Sequence, residues 1–193
     1  MQRLQPPPGW TVVRAVELLQ MVQTAVPDSS FSNAAPEGTA RDAAGDAPAN
    51  AAPAKAGGGF QIDDLSPADL PQMSALYEAT RPGRKLSPAL YKLGGFVGIR
   101  ERAPEGGQRL VAMACLRLHL PGYREISTVG TLPGFEGRGY ATALVGELAR
   151  RIRARNEQPF LTVRTDNERA IAIYQRLGFR ERAKMHSTTI RFG

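Results

Sequence analysis

The 193 residues predict a mixed α/β (α+β) fold, a single mixed β-sheet with helices on both faces. Three observations carry this expectation. Three strand candidates lie between Phe96 and Leu132, with Leu110, Ala112, Ala114, Leu116 and Leu118 alternating at a period of two; the period changes to 3.6 after Tyr140; and strand and helix alternate from there on. An antiparallel meander followed by crossover units gives a sheet with both strand directions, covered by helices on each side.

Within Trp10 to Val26, residues Val12, Val13, Val16, Leu18, Leu19, Met21 and Val22 fit neither period. Residues 1–26 are therefore expected to dock on the main domain as an added strand or helix. Residues 27–59 hold 11 Ala, 5 Gly and 4 Pro with one aromatic, Phe31, too little apolar surface to offset their ordering entropy. They are expected to form a disordered linker. Residues 60–193 are long enough for one core, because a domain of this size buries about two-thirds of its unfolded surface.

Two helix starts are explicit: Ser66 and Ser87 stand before Pro67 and Pro88, with Leu65/Leu70 and Leu86/Tyr91 as hydrophobic staples. The first helix should run to about Ala79, turning Leu70, Met73, Leu76 and Tyr77 inward. Strands are expected at Phe96–Arg100, Arg109–Leu120 and Glu125–Leu132, with turns at Ala103–Gln108 and Pro121–Gly122. Ala141, Leu144, Val145, Leu148 and Ile152 form the apolar stripe of the next helix, and Arg150, Arg151, Arg153 and Arg155 read as its solvated face. A strand at Pro159–Arg164 precedes a helix that Asp166 or Asn167 can cap and Gly178 can end. The tail, Phe179 to Phe192, reads as a strand pair.

Composition narrows the function classes. One cysteine, Cys115, excludes an internal disulfide framework and fits a reducing, cytoplasmic compartment. The longest apolar run, Leu110 to Leu116, is far short of a membrane span, and three prolines within Met1 to Trp10 leave no signal-peptide core. No Cys/His cluster has metal-ligand spacing, so no metal is expected. A net charge of +7 favours an anionic partner, but no aromatic-interleaved basic motif points to nucleic acid.

The chemistry concentrates in Val129-Gly-Thr-Leu-Pro-Gly-Phe-Glu-Gly-Arg-Gly-Tyr-Ala-Thr142, a glycine-rich turn between a strand and a strong helix. A helix start offers unpaired backbone N–H groups and the positive end of a dipole, and glycines let a phosphate come close. Thr142 stands where a dinucleotide fingerprint requires glycine, and there is no Gly-Lys-Ser/Thr of a P-loop. A diphosphate site of another kind and a plain helix cap both remain open on the turn alone.

Together with Asp166-Asn-Glu-Arg-Ala-Ile-Ala-Ile-Tyr-Gln-Arg-Leu-Gly-Phe179 about 25 residues later, this turn resembles the GNAT acetyltransferase superfamily, in its bacterial branch with a Gly-Arg-Gly-Tyr-Ala helix opening. The resemblance covers roughly Phe60 to Phe192. It implies a splayed sheet on which acetyl-CoA lies along the strand from Glu125 to Leu132. Backbone amides at Val129 to Thr131 would polarise the thioester carbonyl, and the pyrophosphate would take Gly137, Arg138, Gly139, Tyr140, Ala141 and Thr142. Asn167 matches a contact to the pantetheine arm and Tyr174 the tyrosine beside the sulfur. Glu136 departs from the pattern, which has Arg or Gln there.

The implied activity is transfer of an acetyl group to the amine of a small molecule or peptide, by direct attack in a ternary complex. Expelling a thiolate leaves charge that a phenol can stabilise, and since a phenol is about 1.5 pKa units weaker as an acid than a thiol, Tyr174 reads as a donor to the leaving sulfur. Its alternative is a core aromatic. Glu125, 11 residues before Glu136, matches the base of the histone-acetylating branch. Its alternative is an ion pair with Arg124 or Arg117. Ser127 and Thr131 share the strand face of Glu125 if alternation holds. His119 and His186 read as structural or surface groups. A catalytically silent acyl-CoA-binding sensor or scaffold is the rival function.

Overall fold

The computed structural model describes residues 5–24, 60–104 and 106–193. The expected linker, 27–59, lies outside the described residues. Strands are β1 (Trp10–Gln23), β2 (Ile62–Leu65), β3 (Phe96–Arg102), β4 (Gln108–Leu120), β5 (Tyr123–Thr131), β6 (Gln158–Arg164) and β7 (Phe179–Phe192). Helices are α1 (Leu70–Thr80), α2 (Pro88–Leu93), α3 (Tyr140–Arg153) and α4 (Glu168–Arg176), with a 3-10 turn at Pro67–Asp69. The strands form one mixed sheet in the order β2-β3-β4-β5-β6-β1-β7. The fold divides into two compact units, one of residues 5–24, 116–127 and 148–193, the other of 60–115 and 128–147.

In the second unit, β2 and β3 pair antiparallel from Ile62↔Ile99 to Leu65↔Phe96, and β3 pairs antiparallel with β4. Phe96, Ile99, Met113, Met73 and Leu76 are fully buried there. Every residue from Leu110 to Cys115 is buried, so the period-two pattern of β4 carries little polar contrast. A strand covered on both faces reads as a continuous apolar run. At the start of the helical segment, Asp69 accepts from the Ser66 N–H at 2.7 Å and hydroxyl at 3.0 Å, and Arg100 ties it to β3 at 2.6 Å. Burial pushes the Asp69 carboxyl up, but the Ser66 bonds and Arg100 outweigh it and hold it below its ordinary value.

The first unit is where the N-terminal segment enters. It is a strand: β1 pairs antiparallel with β6 over Leu18–Val22 and with β7 along its whole length. A register shift between Val12 and Arg14 adds Val13 to β1 and exchanges the faces beyond it, which is why neither period fitted the sequence; a second shift, at Gln20/Met21, puts its extra residue, Arg182, on β7. Leu19, Met21 and Val22, lying between two strands, are buried, while Val12 and Val13 are exposed.

The tail departs from its expected form. Phe179–Phe192 is one 14-residue strand, not a strand pair. It contains no Gly, Pro, Asn or Asp to make a hairpin turn, and its partner is β1. Strand β5 runs parallel to β6 from Tyr123↔Gln158 to Ile126↔Leu161. Two residues later Thr128 takes φ 55°, in the left-handed region that β-branched residues avoid. Alternation cannot be carried through that residue, so the expected sharing of the Glu125 face applies to Ser127, which precedes it, and does not extend to Thr131.

Candidate active site

In the unit of residues 60–115 and 128–147, the glycine turn connects β5 to α3. Gly137 and Gly139 have φ 81° and 84°, and a Cβ at either would meet no atom within 4 Å. Glycine is needed there for the backbone angle, and its bareness leaves the turn open to a ligand. The N–H of Ala143 bonds the carbonyl of Gly139 at 3.0 Å, so the amides of Tyr140, Ala141 and Thr142 precede the helix's own hydrogen-bond ladder. Val129, Thr131 and the residues Gly137 to Thr142 thus belong to one strand–turn–helix segment.

Side chains hold this segment. Glu136 folds back so that its carboxylate accepts from the Gly134 N–H at 2.7 Å. Arg138 pairs with Glu101 at 2.8 and 2.9 Å and lies 4.9 Å over the Phe135 ring, with Arg109 at 5.9 Å from the same ring. Tyr140 is buried edge-on against Phe60 at 4.9 Å. On β5, Arg81 donates to the carbonyl of Val129 at 3.0 Å and to the Thr80 hydroxyl at 3.0 Å. A Cβ on Gly130 would sit 3.2 Å from that hydroxyl and 3.3 Å from Arg81, so glycine is what lets the end of α1 reach the strand. Sequence reasoning missed Arg81, because nothing in its local pattern ties residue 81 to residue 129.

The other unit holds Glu125, Asn167 and Tyr174. Glu125 is 1% exposed. Both of its oxygens accept from Arg117, at 2.8 and 2.7 Å, and one accepts from the Thr162 hydroxyl at 3.2 Å. To take a proton it must release one arm of that bidentate pair. Asn167 caps α4, its side-chain oxygen accepting from the Ala170 N–H at 3.2 Å. Tyr174 lies two turns further along α4, 8% exposed, with its ring 6.2 Å from Phe179.

Arg153 corrects the sequence reading. It does not belong to a solvated face with Arg155 but is half-buried, donating to the side-chain oxygen of Gln23. His119, read as a structural or surface group, bonds Glu157 at 2.6 Å; Arg124 bonds the same carboxylate at 3.1 Å. The Arg124 hydrogen bond first, and His119 after it, hold the Glu157 carboxyl below its ordinary range against the effect of burial.

A GNAT-family protein of known structure from Novosphingobium aromaticivorans is 31% identical, covered over 71% of its length and matched over all of this chain, with a TM-score of 0.74. The chain belongs to the GNAT acetyltransferase family. Residues 96–188 of this GNAT protein also match the model of the FR47-like protein family. N-alpha-acetyltransferase RimI of Mycobacterium tuberculosis is 42% identical over 55 residues. That alignment spans 34% of RimI, and one to an uncharacterised Mycobacterium leprae protein spans 17% of its partner. The Escherichia coli ribosomal-protein-S18-alanine N-acetyltransferase shares the fold, with a TM-score of 0.55 at 18% identity over 67% of this chain and 93% of its own.

Proposed function

We propose that this GNAT protein is an acetyl-CoA-dependent N-acyltransferase that moves an acetyl group to the amine of a small molecule or peptide. The observation that carries the reading is the turn at Gly137–Gly139, which holds left-handed glycines against three helix amides free of the helix ladder. Those amides, with the dipole of α3, suit a pyrophosphate. When bound, acetyl-CoA supplies the thioester acyl group.

The chain's own residues do the rest. Arg81, by donating to the Val129 carbonyl, polarises the peptide that ends in the Gly130 N–H, strengthening a strand donor for a thioester oxygen. Tyr174 donates to the sulfur as it leaves. Its donor matters only late in the reaction, when negative charge has grown there. Asn167 presents its amide nitrogen to the pantetheine arm, its oxygen being taken by the α4 cap. Glu125 removes the ammonium proton, through water, when one arm of Arg117 lets go.

The test has two stages. At about 100 times its dissociation constant, acetyl-CoA should stabilise the fold by about 2.7 kcal/mol, read as a rise in melting temperature. A panel of amines, N-terminal peptides among them because of the RimI relative, should then show thiol release. No stabilisation refutes the cofactor assignment, and stabilisation without turnover on any amine would make the protein a binding module. With an acceptor known, Tyr174→Phe should lower kcat about 10- to 1000-fold with acetyl-CoA affinity unchanged; full activity would assign the residue to packing.

A further inference from the structure

Arg153, the last residue of α3, is a half-buried cation whose hydrogen-bond partner is neutral. Its Nη1 donates to the side-chain oxygen of Gln23, which is itself 7% exposed and anchored by its Nε2 to the Leu177 carbonyl at 2.7 Å. Among the described residues no carboxylate lies within ion-pair distance of Arg153, and the acid nearest in sequence, Glu157, is engaged by Arg124 and His119. Burial, and then the charge of Arg150, pull the guanidinium's pKa down. A half-buried cation with a neutral partner gains from an anion that completes it.

A cavity of about 390 Å³ opens at this point, lined by Gln23, Tyr123, Arg153, Asn156, Gln158 and the acidic Glu157, whose carboxylate is already held by Arg124 and His119. All of them belong to the unit of residues 5–24, 116–127 and 148–193, and none takes part in the acyl-CoA machinery proposed above. The Arg153 fork retains donors beyond the one given to Gln23, and the side chains of Asn156, Gln158 and Tyr123 add neutral ones. Planar donor forks of this kind match the oxygens of a phosphate or carboxylate. The volume exceeds what one such group fills and falls within the range of small-ligand pockets.

We propose that this cavity is a binding site for the oxyanion group of a small metabolite, seated on Arg153. The rest of the ligand would occupy the remaining space, beside Tyr123 and Asn156.

The test uses the full chain, titrated with inorganic phosphate or with citrate at constant ionic strength set by sodium chloride. A saturable rise in melting temperature of roughly 2–4 °C is expected, with a shift of the Arg153 side-chain N–H resonance. Arg153→Gln should weaken the response at least about ten-fold, and Arg153→Lys, which keeps charge but loses the fork, by about three-fold. Because the turn at Gly137–Gly139 could also take phosphate, the response must survive both Arg138→Ala and saturating acetyl-CoA. A stronger response to phosphate marks a phosphorylated ligand, and a stronger one to citrate a carboxylate. Equal responses in wild type and Arg153→Gln, or loss of the response in saturating acetyl-CoA or in Arg138→Ala, overturn the proposal. Should Arg153→Gln fail to unfold cooperatively, the pair Tyr123→Phe and Asn156→Ala replaces it: a loss of about three-fold is expected, and unchanged affinity overturns the site.

Discussion

Replacing Arg117 by methionine would strand the Glu125 carboxylate. At 2.7 Å the pair attracts with about 6 kcal/mol at an effective dielectric near 20, most of which is cancelled by the several kcal/mol needed to dehydrate the carboxylate. Its net value in the folded protein is therefore small, but the loss of one partner is not. Glu125, 1% exposed, would keep only the Thr162 hydroxyl at 3.2 Å. Breaking a buried pair from one side costs about 3–5 kcal/mol, and because Arg117 is 38% exposed, water can follow it in, which lowers the expectation to about 3 kcal/mol. For a chain of this length that is a fall in melting temperature of roughly 6–12 °C. The double variant Arg117→Met/Glu125→Leu removes both charges and should recover at least about 1.5 kcal/mol of the loss. Urea unfolding followed by far-ultraviolet circular dichroism, with equal m-values required, measures all three variants. A cost below about 1 kcal/mol for Arg117→Met, or a double variant as unstable as the single, would refute the account of Glu125 as a buried carboxylate neutralised by Arg117.

Glu136→Gln should change acetyl-CoA affinity by less than about two-fold at low and at high salt, since its carboxylate is turned to the Gly134 N–H. A several-fold gain that fades with salt, seen by calorimetry, would place the carboxylate against the phosphates instead. Thr128→Gly removes the left-handed strain of a β-branched residue and should stabilise by about 1 kcal/mol, so a lower melting temperature would contradict the strain. In acid, the depressed Glu157 carboxyl gives a stabilisation present above the unfolded range of about 4.3 and lost as pH falls through its folded value. Glu157→Gln should flatten the melting-temperature profile between about pH 5 and pH 3, and an unchanged slope would assign acid lability elsewhere.

Much of this was legible from local pattern. The Ser66 and Ser87 helix starts, the β3–β4–β5 meander and the α3 stripe depend on residues close in sequence, where period and capping chemistry decide the structure. The form of β1 was not legible, because its bulge at Val12/Arg14 shifts one face onto the other, and only pairing with β7 reveals the extra residue. Arg81 and Arg153 were hidden for a related reason. Each acts on a residue far away in the chain, Val129 and Gln23, and a basic residue near a helix C-terminus looks like one more favourable dipole partner. Glu125 was read with two partners possible, and only the structure distinguishes Arg117 from Arg124, which goes to Glu157.

The two charged residues of the glycine turn show how it is kept ready. Glu136, the departure from the family pattern, bonds inward to Gly134, and Arg138 is held outward by Glu101 and by the face of Phe135. Neither bond depends on a ligand, so the ordering of the turn is completed during folding and need not be repeated on binding. The amides of Tyr140 to Thr142 are then fixed donors, which favours an anion more than mobile side chains would. Arg138 differs from them, because to reach a phosphate it must give up Glu101. That exchanges one exposed charge pair for another, each of about 0–1 kcal/mol in water. Affinity at this turn should therefore rest on backbone groups, with Arg138 governing how the anion is steered and released.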